Sequence, residues 1–166
     1  MPEKTTAKQD GVLEFLIRWG PAIFWMVWIF SASTDLMSQP HTSRIIQPLL
    51  RWLFTGISQQ RIEEIHFAIR KIGHLSEYAI LSILLWRGCG WRWQRESMNL
   101  RLLRVLLLST LYAASDEFHQ LFVPSRGASV MDVLVDAVGA SIGLLIVWAV
   151  KKAMDGHGRA RTDTDR

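Results

Sequence analysis

Four stretches of this chain carry no charged residue: 20–32, 78–86, 105–115 and 137–150. Each is shorter than the roughly 20 residues that cross the hydrocarbon of a bilayer. They reach that length only by drawing in flanking polar side chains. Two architectures satisfy this pattern: membrane helices with polar residues at depth, or a soluble all-helical bundle. Tryptophan placement favours the membrane. Trp19, Trp25, Trp28, Trp52, Trp86, Trp91, Trp93 and Trp148 stand mostly near block ends, as an interfacial aromatic belt does. With 49% hydrophobic residues, the expected fold is an all-α, polytopic membrane protein of about four transmembrane helices.

The helices are expected over residues 12–33, 69–86, 100–122 and 129–150, framing a membrane domain at 12–150. Residues 1–11 and 151–166 are polar and are expected to be disordered tails. The connection from Asp35 to Lys71 is too long to be structureless. Within it Ile45, Ile46, Leu49, Leu50, Leu53 and Phe54 keep helical spacing. That run predicts a short amphipathic helix lying in the membrane interface, with Gly56 as its stop. A second amphipathic piece, Ile62 to Ile72, leads into helix two. At the start of helix four, Ser129 and Asp132 fit a capping box. Gly139 and Gly143 form a small-xxx-small pair, which predicts close helix–helix association, within the bundle or with another membrane protein.

The formal net charge is +4. Basic residues interleaved with Trp91 and Trp93 would suit nucleic acid, but here they form a short connector between apolar blocks. The positive-inside rule explains them better, so no nucleic-acid partner is expected. An N-in, C-in topology leaves six of the 19 Lys and Arg residues outside: Arg44, Arg51, Arg61, Arg70, Lys71 and Arg126. The expected location is therefore a bacterial cytoplasmic (inner) membrane, multi-pass, with both termini cytoplasmic. A single cysteine, Cys89, excludes an internal disulfide.

Helix alternation then gathers the polar residues. The end of helix one (Ser31, Ser33, Asp35), the start of helix two (Lys71, His74, Glu77, Tyr78), the end of helix three (Asp116, Glu117, His119, Gln120) and the start of helix four (Asp132, Asp136) fall at one end of an up-down bundle, with Arg126 between the last two. In the N-in topology that end is the outer leaflet. Intramembrane ionisable residues face a partner or a cavity because lipid cannot solvate them.

Three readings of the cluster stay open. It is a structural network locking the bundle, or a pocket for a lipid-linked envelope molecule, with Lys71 and Arg126 meeting its phosphate or carboxylate. Alternatively it is an enzyme site, with Glu77, Asp116 or Glu117 as general base beside His74 or His119. Whether the chain is an enzyme is thus left open. His74, Glu77, Asp116 and His119 are types that suit Zn or Mn. No compact motif such as H-E-x-x-H occurs, so no metal or other cofactor is evident and the cofactor is left open.

These residues resemble the VanZ-like family of small bacterial membrane proteins. The resemblance lies in Lys71-x-x-His74-x-x-Glu77-Tyr78, in Ser115-Asp116-Glu117-Phe118-His119-Gln120, and in Pro124-Ser125-Arg126-x-x-Ser129-x-x-Asp132-Val133-Leu134-x-Asp136-x-x-Gly139. Phe30-Ser31-Ala32-Ser33 is similar to the family's opening motif. The resemblance implies an integral envelope protein related to one linked to teicoplanin (glycopeptide) resistance, and it supplies no reaction. By their own chemistry Glu77, Asp116, Glu117 and His119 are the catalytic candidates. Ser31, Lys71, His74, Tyr78, Gln120, Arg126, Asp132 and Asp136 become ligand-binding candidates. The expected partners are membrane lipids and a lipid-linked envelope precursor. On this view the protein binds or responds to an envelope component; the alternatives are an enzyme modifying such a precursor, or a structural bundle.

Overall fold

A hydroxyl that holds the first free amides of a helix fixes where it begins, and two such caps start the third and fourth helices. Ser58 Oγ accepts from Arg61 N–H (3.3 Å) to start α3 (Gln59–Cys89), and Ser97 Oγ accepts from Leu100 N–H (3.4 Å) to start α4 (Met98–Gln120). Before them run α1 (Glu3–Ala32) and α2 (Gln39–Leu53), and α5 (Val130–Thr164) closes the chain. The computed structural model describes residues 3–34, 39–90, 93, 95–124 and 127–164, with side chains over 11–34, 42–90, 93, 95–124 and 127–155. Among the described residues all regular structure is helical.

The amphipathic helix expected in the first loop forms as α2. Gly56, with φ of 91°, turns the chain after it, a conformation in which a Cβ would be strained. The second amphipathic piece leads straight into the next helix, as its spacing predicts. It is the first half of α3, continuous from the Ser58 cap, since Gly73 costs a helix only about 1 kcal/mol against alanine and does not stop it. α1 and α5 also run as helix into the segments expected as tails, to Glu3 and Thr164.

α3 is the central element and touches each of the other four helices. Ala22 and Ile29 of α1, Leu81 and Leu85 of α3, Val105 and Ala113 of α4, and Ala140 and Leu144 of α5 fill the interior. The α3–α5 seam is the tightest. A Cβ at Gly139 would stand 2.9 Å from Leu75 Cα, and one at Gly143 would collide with the Ala79 carbonyl oxygen and Ser82 Oγ. The close approach expected of these glycines is therefore made within the chain. Both are buried, so neither faces outward toward another protein.

Polarity is inverted relative to a protein folded in water. Asp116, Asp132, Asp136 and Gln120 are at most 2% exposed, whereas Phe24, Leu111 and Phe118 are more than 60% exposed. Apolar surface on this scale needs a non-aqueous neighbour, and the chain is a membrane protein. Two helices are long and apolar enough to cross a bilayer, over Gly11–Ala32 and Val130–Asp155. Charged residues at both ends of α3 and α4 keep those helices below that measure.

Candidate functional site

The polar side chains at the end of α1, the first half of α3, the end of α4 and the start of α5 meet at one end of the bundle. Asp132, one turn into α5, is 3% exposed at its side chain and accepts from two cations of α3. Arg70 Nη2 donates to its Oδ2 at 2.9 Å, and Lys71 Nζ donates to its Oδ1. One turn further along both helices, His74 Nδ1 lies 3.0 Å from Asp136 Oδ1, with both side chains buried. The i, i+4 spacing of Arg70 with His74, and of Asp132 with Asp136, puts each pair on one helix face, so the two contacts form a ladder up the α3–α5 seam.

Asp116 anchors the other half. Its Oδ2 accepts from Ser33 Oγ (2.6 Å) at the end of α1 and from Gln120 Nε2 (3.1 Å) on its own helix. Ser33 is the hydroxyl of the α1 cluster that enters the site. Ser31, one of the expected ligand residues, is exposed and donates to the Val27 carbonyl of its own helix at 2.8 Å. The two serines are 200° apart on the helix, so only one can face the interior.

Glu117 caps α5. Its Oε2 accepts from Ser129 N–H at 2.9 Å. The capping box expected from Ser129 and Asp132 is therefore only half formed: Ser129 Oγ accepts from Met131 N–H (3.2 Å), and the reciprocal acid comes from α4. Asp132 cannot serve, because its carboxylate is committed to Arg70 and Lys71. Lys71 gives one of its three N–H donors to the same carboxylate.

His119 stands aside from these acids, with its half-buried ring 4.4 Å from that of Phe30. Tyr78 is fully buried, 6.3 Å from Tyr112 between ring centroids. Two hydrogen bonds fasten α1 over the site: Trp25 Nε1 donates to the Glu77 carbonyl (2.9 Å) and Tyr112 OH to the Met26 carbonyl (2.6 Å). Arg126 and Asp35 lie outside the described residues. Among the described residues no three His, Cys, Asp or Glu side chains converge as metal ligands, so His74, Glu77, Asp116 and His119 are not assembled around one point.

The network is not closed on itself. Asp116 Oδ1, Glu117 Oε1, Gln120 Oε1, Asp136 Oδ2 and Tyr78 OH are buried without a hydrogen-bond partner. Orphans of this kind are rare in interiors that serve packing alone, because each forfeits its solvation. Beside the network, between α2, α3 and the end of α1, runs a groove of about 380 Å³. Ser33 and His74 of the network line it, together with Glu77, His66, Arg70, Ile46 and Phe67.

Sequence reasoning missed His66 and counted Arg70 only for topology. The signal was present: His66, Arg70 and His74 recur every four residues, which marks one helical stripe. Starting the second membrane span at Ile69 left His66 outside it.

A family model described as VanZ/LLP1 matches residues 19–151. No curated protein and no solved structure matches the chain.

Proposed function

The chain belongs to the VanZ/LLP1 family, and we propose that it is a four-span protein of the bacterial inner membrane that binds an envelope amphiphile in the groove beside its acid network. One observation carries the reading: Ser33 and His74 belong to the buried network and to the wall of an open groove at once. A ligand in the groove therefore touches the side chains that hold Asp116 and Asp136. Ligand sites commonly pair apolar walls with a few placed polar groups, and Ile46 and Phe67 supply such walls here. A role of the kind that protects an envelope target from glycopeptides follows if the bound molecule is that target or its precursor.

α3 and α4 complete the four spans on this reading. Their charges gather at the ends or face inward, and Leu103, Leu107 and Leu111 present an apolar stripe outward. The excess of Lys and Arg on one side supports cytoplasmic termini and a groove in the outer leaflet.

Copurification tests the binding. The protein is extracted with its native lipids, and the retained molecules are identified by mass spectrometry. An envelope amphiphile enriched over bulk phospholipid, and lost in Ile46→Trp, is the expected result. Bulk phospholipid alone in both samples would sink the reading. Reporter fusions at Trp93 and Gly127 address orientation; a cytoplasmic Gly127 reverses it.

One arrangement favours catalysis as a second reading. His74 lines the groove while Asp136 holds its Nδ1, the way a carboxylate orients an imidazole for general-base work. On that reading His74 takes the proton and Asp136 stabilises the imidazolium. Time-dependent conversion of the copurified molecule by wild type, absent in His74→Gln, separates an enzyme from a binding protein.

A further inference from the structure

The groove is not chemically uniform along its length. His66 is 8% exposed, yet its Nε2 is buried with no hydrogen-bond partner. One turn on, Arg70 Nε is also buried and unpartnered, although Nη2 of the same guanidinium is held by Asp132 at 2.9 Å. Both residues line the groove. Side chains four apart on a helix stand about 5–6 Å from each other at Cβ, a span that two oxygens of one phosphate or carboxylate can bridge. Arg70 brings a guanidinium, whose planar fork suits phosphate and carboxylate oxygens.

Two carboxylates share the groove with this pair: Glu63, one turn before His66, and Glu77. Glu63 is exposed and accepts from Gln59 at 3.2 Å, and Glu77 lies two turns beyond Arg70. The remaining wall mixes Ser33, Thr42 and His74 with apolar side chains. Phe67 and Ile69 line the groove and are themselves 64% and 47% exposed on the outside of the bundle. Two residues apart, they offer an apolar path from the groove wall to the lipid-facing surface on either side of α3. A free anion has no use for that path, whereas an acyl or prenyl chain does.

We infer that the groove takes the anionic head group of an amphiphile, with His66 Nε2 and Arg70 Nε donating to its phosphate or carboxylate and the chain leaving over Phe67 and Ile69. The inference rests on the reading of the groove as a ligand site and adds the ligand's charge. It also moves the anion contact from Lys71 to His66 and Arg70.

The test uses full-length protein in neutral detergent and native mass spectrometry with three probes: dioleoyl phosphatidylglycerol, uncharged dioleoylglycerol and inorganic phosphate. Phosphatidylglycerol should be retained at least about tenfold better than dioleoylglycerol, roughly the effect of one charge-assisted hydrogen bond. His66→Phe, which keeps the ring volume, should remove most of that preference without shifting the lipid-free unfolding midpoint. Arg70→Lys keeps a cation for Asp132 but lacks Nε, and should reduce the preference similarly. It serves as the test should His66→Phe fail to fold. Equal retention of both lipids, with each lost in Ile46→Trp, overturns the anion contact while leaving an amphiphile groove intact. Retention of neither lipid overturns both. Inorganic phosphate displacing phosphatidylglycerol at equal concentration overturns the amphiphile in favour of a free anion.

Discussion

The two faces of α3 are built on opposite terms. Toward α5 the helices meet backbone to backbone at Gly139 and Gly143, and Asp132 and Asp136 clamp onto Arg70, Lys71 and His74. Toward α2 the same helix faces a groove of about 380 Å³, and His66 is left without a partner. One face is closed by contacts that admit no extra atom; the other leaves buried donors unused. The difference assigns the work. The seam fixes where His74 and Arg70 stand, and the groove is where they can meet something else.

Glycine substitution on each face gives the sharpest contrast. Gly143→Leu drives a side chain into the Ala79 carbonyl, and backbone cannot rotate away as a side chain can. A loss of about 3 kcal/mol or more is expected, at the upper end for overpacking, seen as failure to accumulate or a collapsed unfolding midpoint in detergent. Gly73→Ala lies on the groove side, where a Cβ meets nothing within 4 Å. It should be neutral or stabilising by up to about 1 kcal/mol, the gain from a better helix former. Similar losses in both variants would erase the distinction between the faces.

Asp132→Ala attacks the seam through charge. It strands Lys71 and Arg70, whose side chains are 20% and 37% exposed. Removing one partner of a fully buried pair costs about 3–5 kcal/mol; partial exposure lets solvent recover some of it, so about 2 kcal/mol is expected. Chemical unfolding in detergent measures it. A cost near zero would mean that glycine packing alone holds α3 to α5.

Much of this was legible in the sequence, for reasons that differ by residue. The four charge-free blocks and the Gly139–Gly143 spacing foretold helices and a tight seam, because helical periodicity fixes which side chains share a face. Alternation of helix direction foretold that His74, Asp116 and Asp136 would gather at one end. Pairing was not legible. Nothing in the spacing tells Asp132 from Glu117 as the cap of α5, since that choice depends on Arg70 and Lys71 arriving from α3. The full length of α3 was not legible either: the apolar span starts at Ile69, although the amphipathic residues before it continue the same helix back to the Ser58 cap. His66 and the groove were lost with it.

The smallest expected effect tests the finest assignment. Ser31 and Ser33 are two residues apart on one helix, and only the register of α1 against α4 decides which hydroxyl meets Asp116. Ser33→Ala removes the 2.6 Å bond to a buried carboxylate whose other partner is Gln120. Hydrogen bonds between membrane helices average about 0.6 kcal/mol and reach about 1.7, and a charged acceptor belongs near the top of that range. About 1 kcal/mol is therefore expected. Ser31→Ala removes an exposed hydroxyl bonded to its own helix, and should change stability by less than about 0.5 kcal/mol. Because Ser33 also lines the groove, its loss should weaken ligand retention while the Ser31 variant retains ligand as wild type does. The reverse order would rotate α1 by about half a turn, which would also break the Trp25 and Tyr112 hydrogen bonds that fasten it, so the serine pair tests the register of the whole helix.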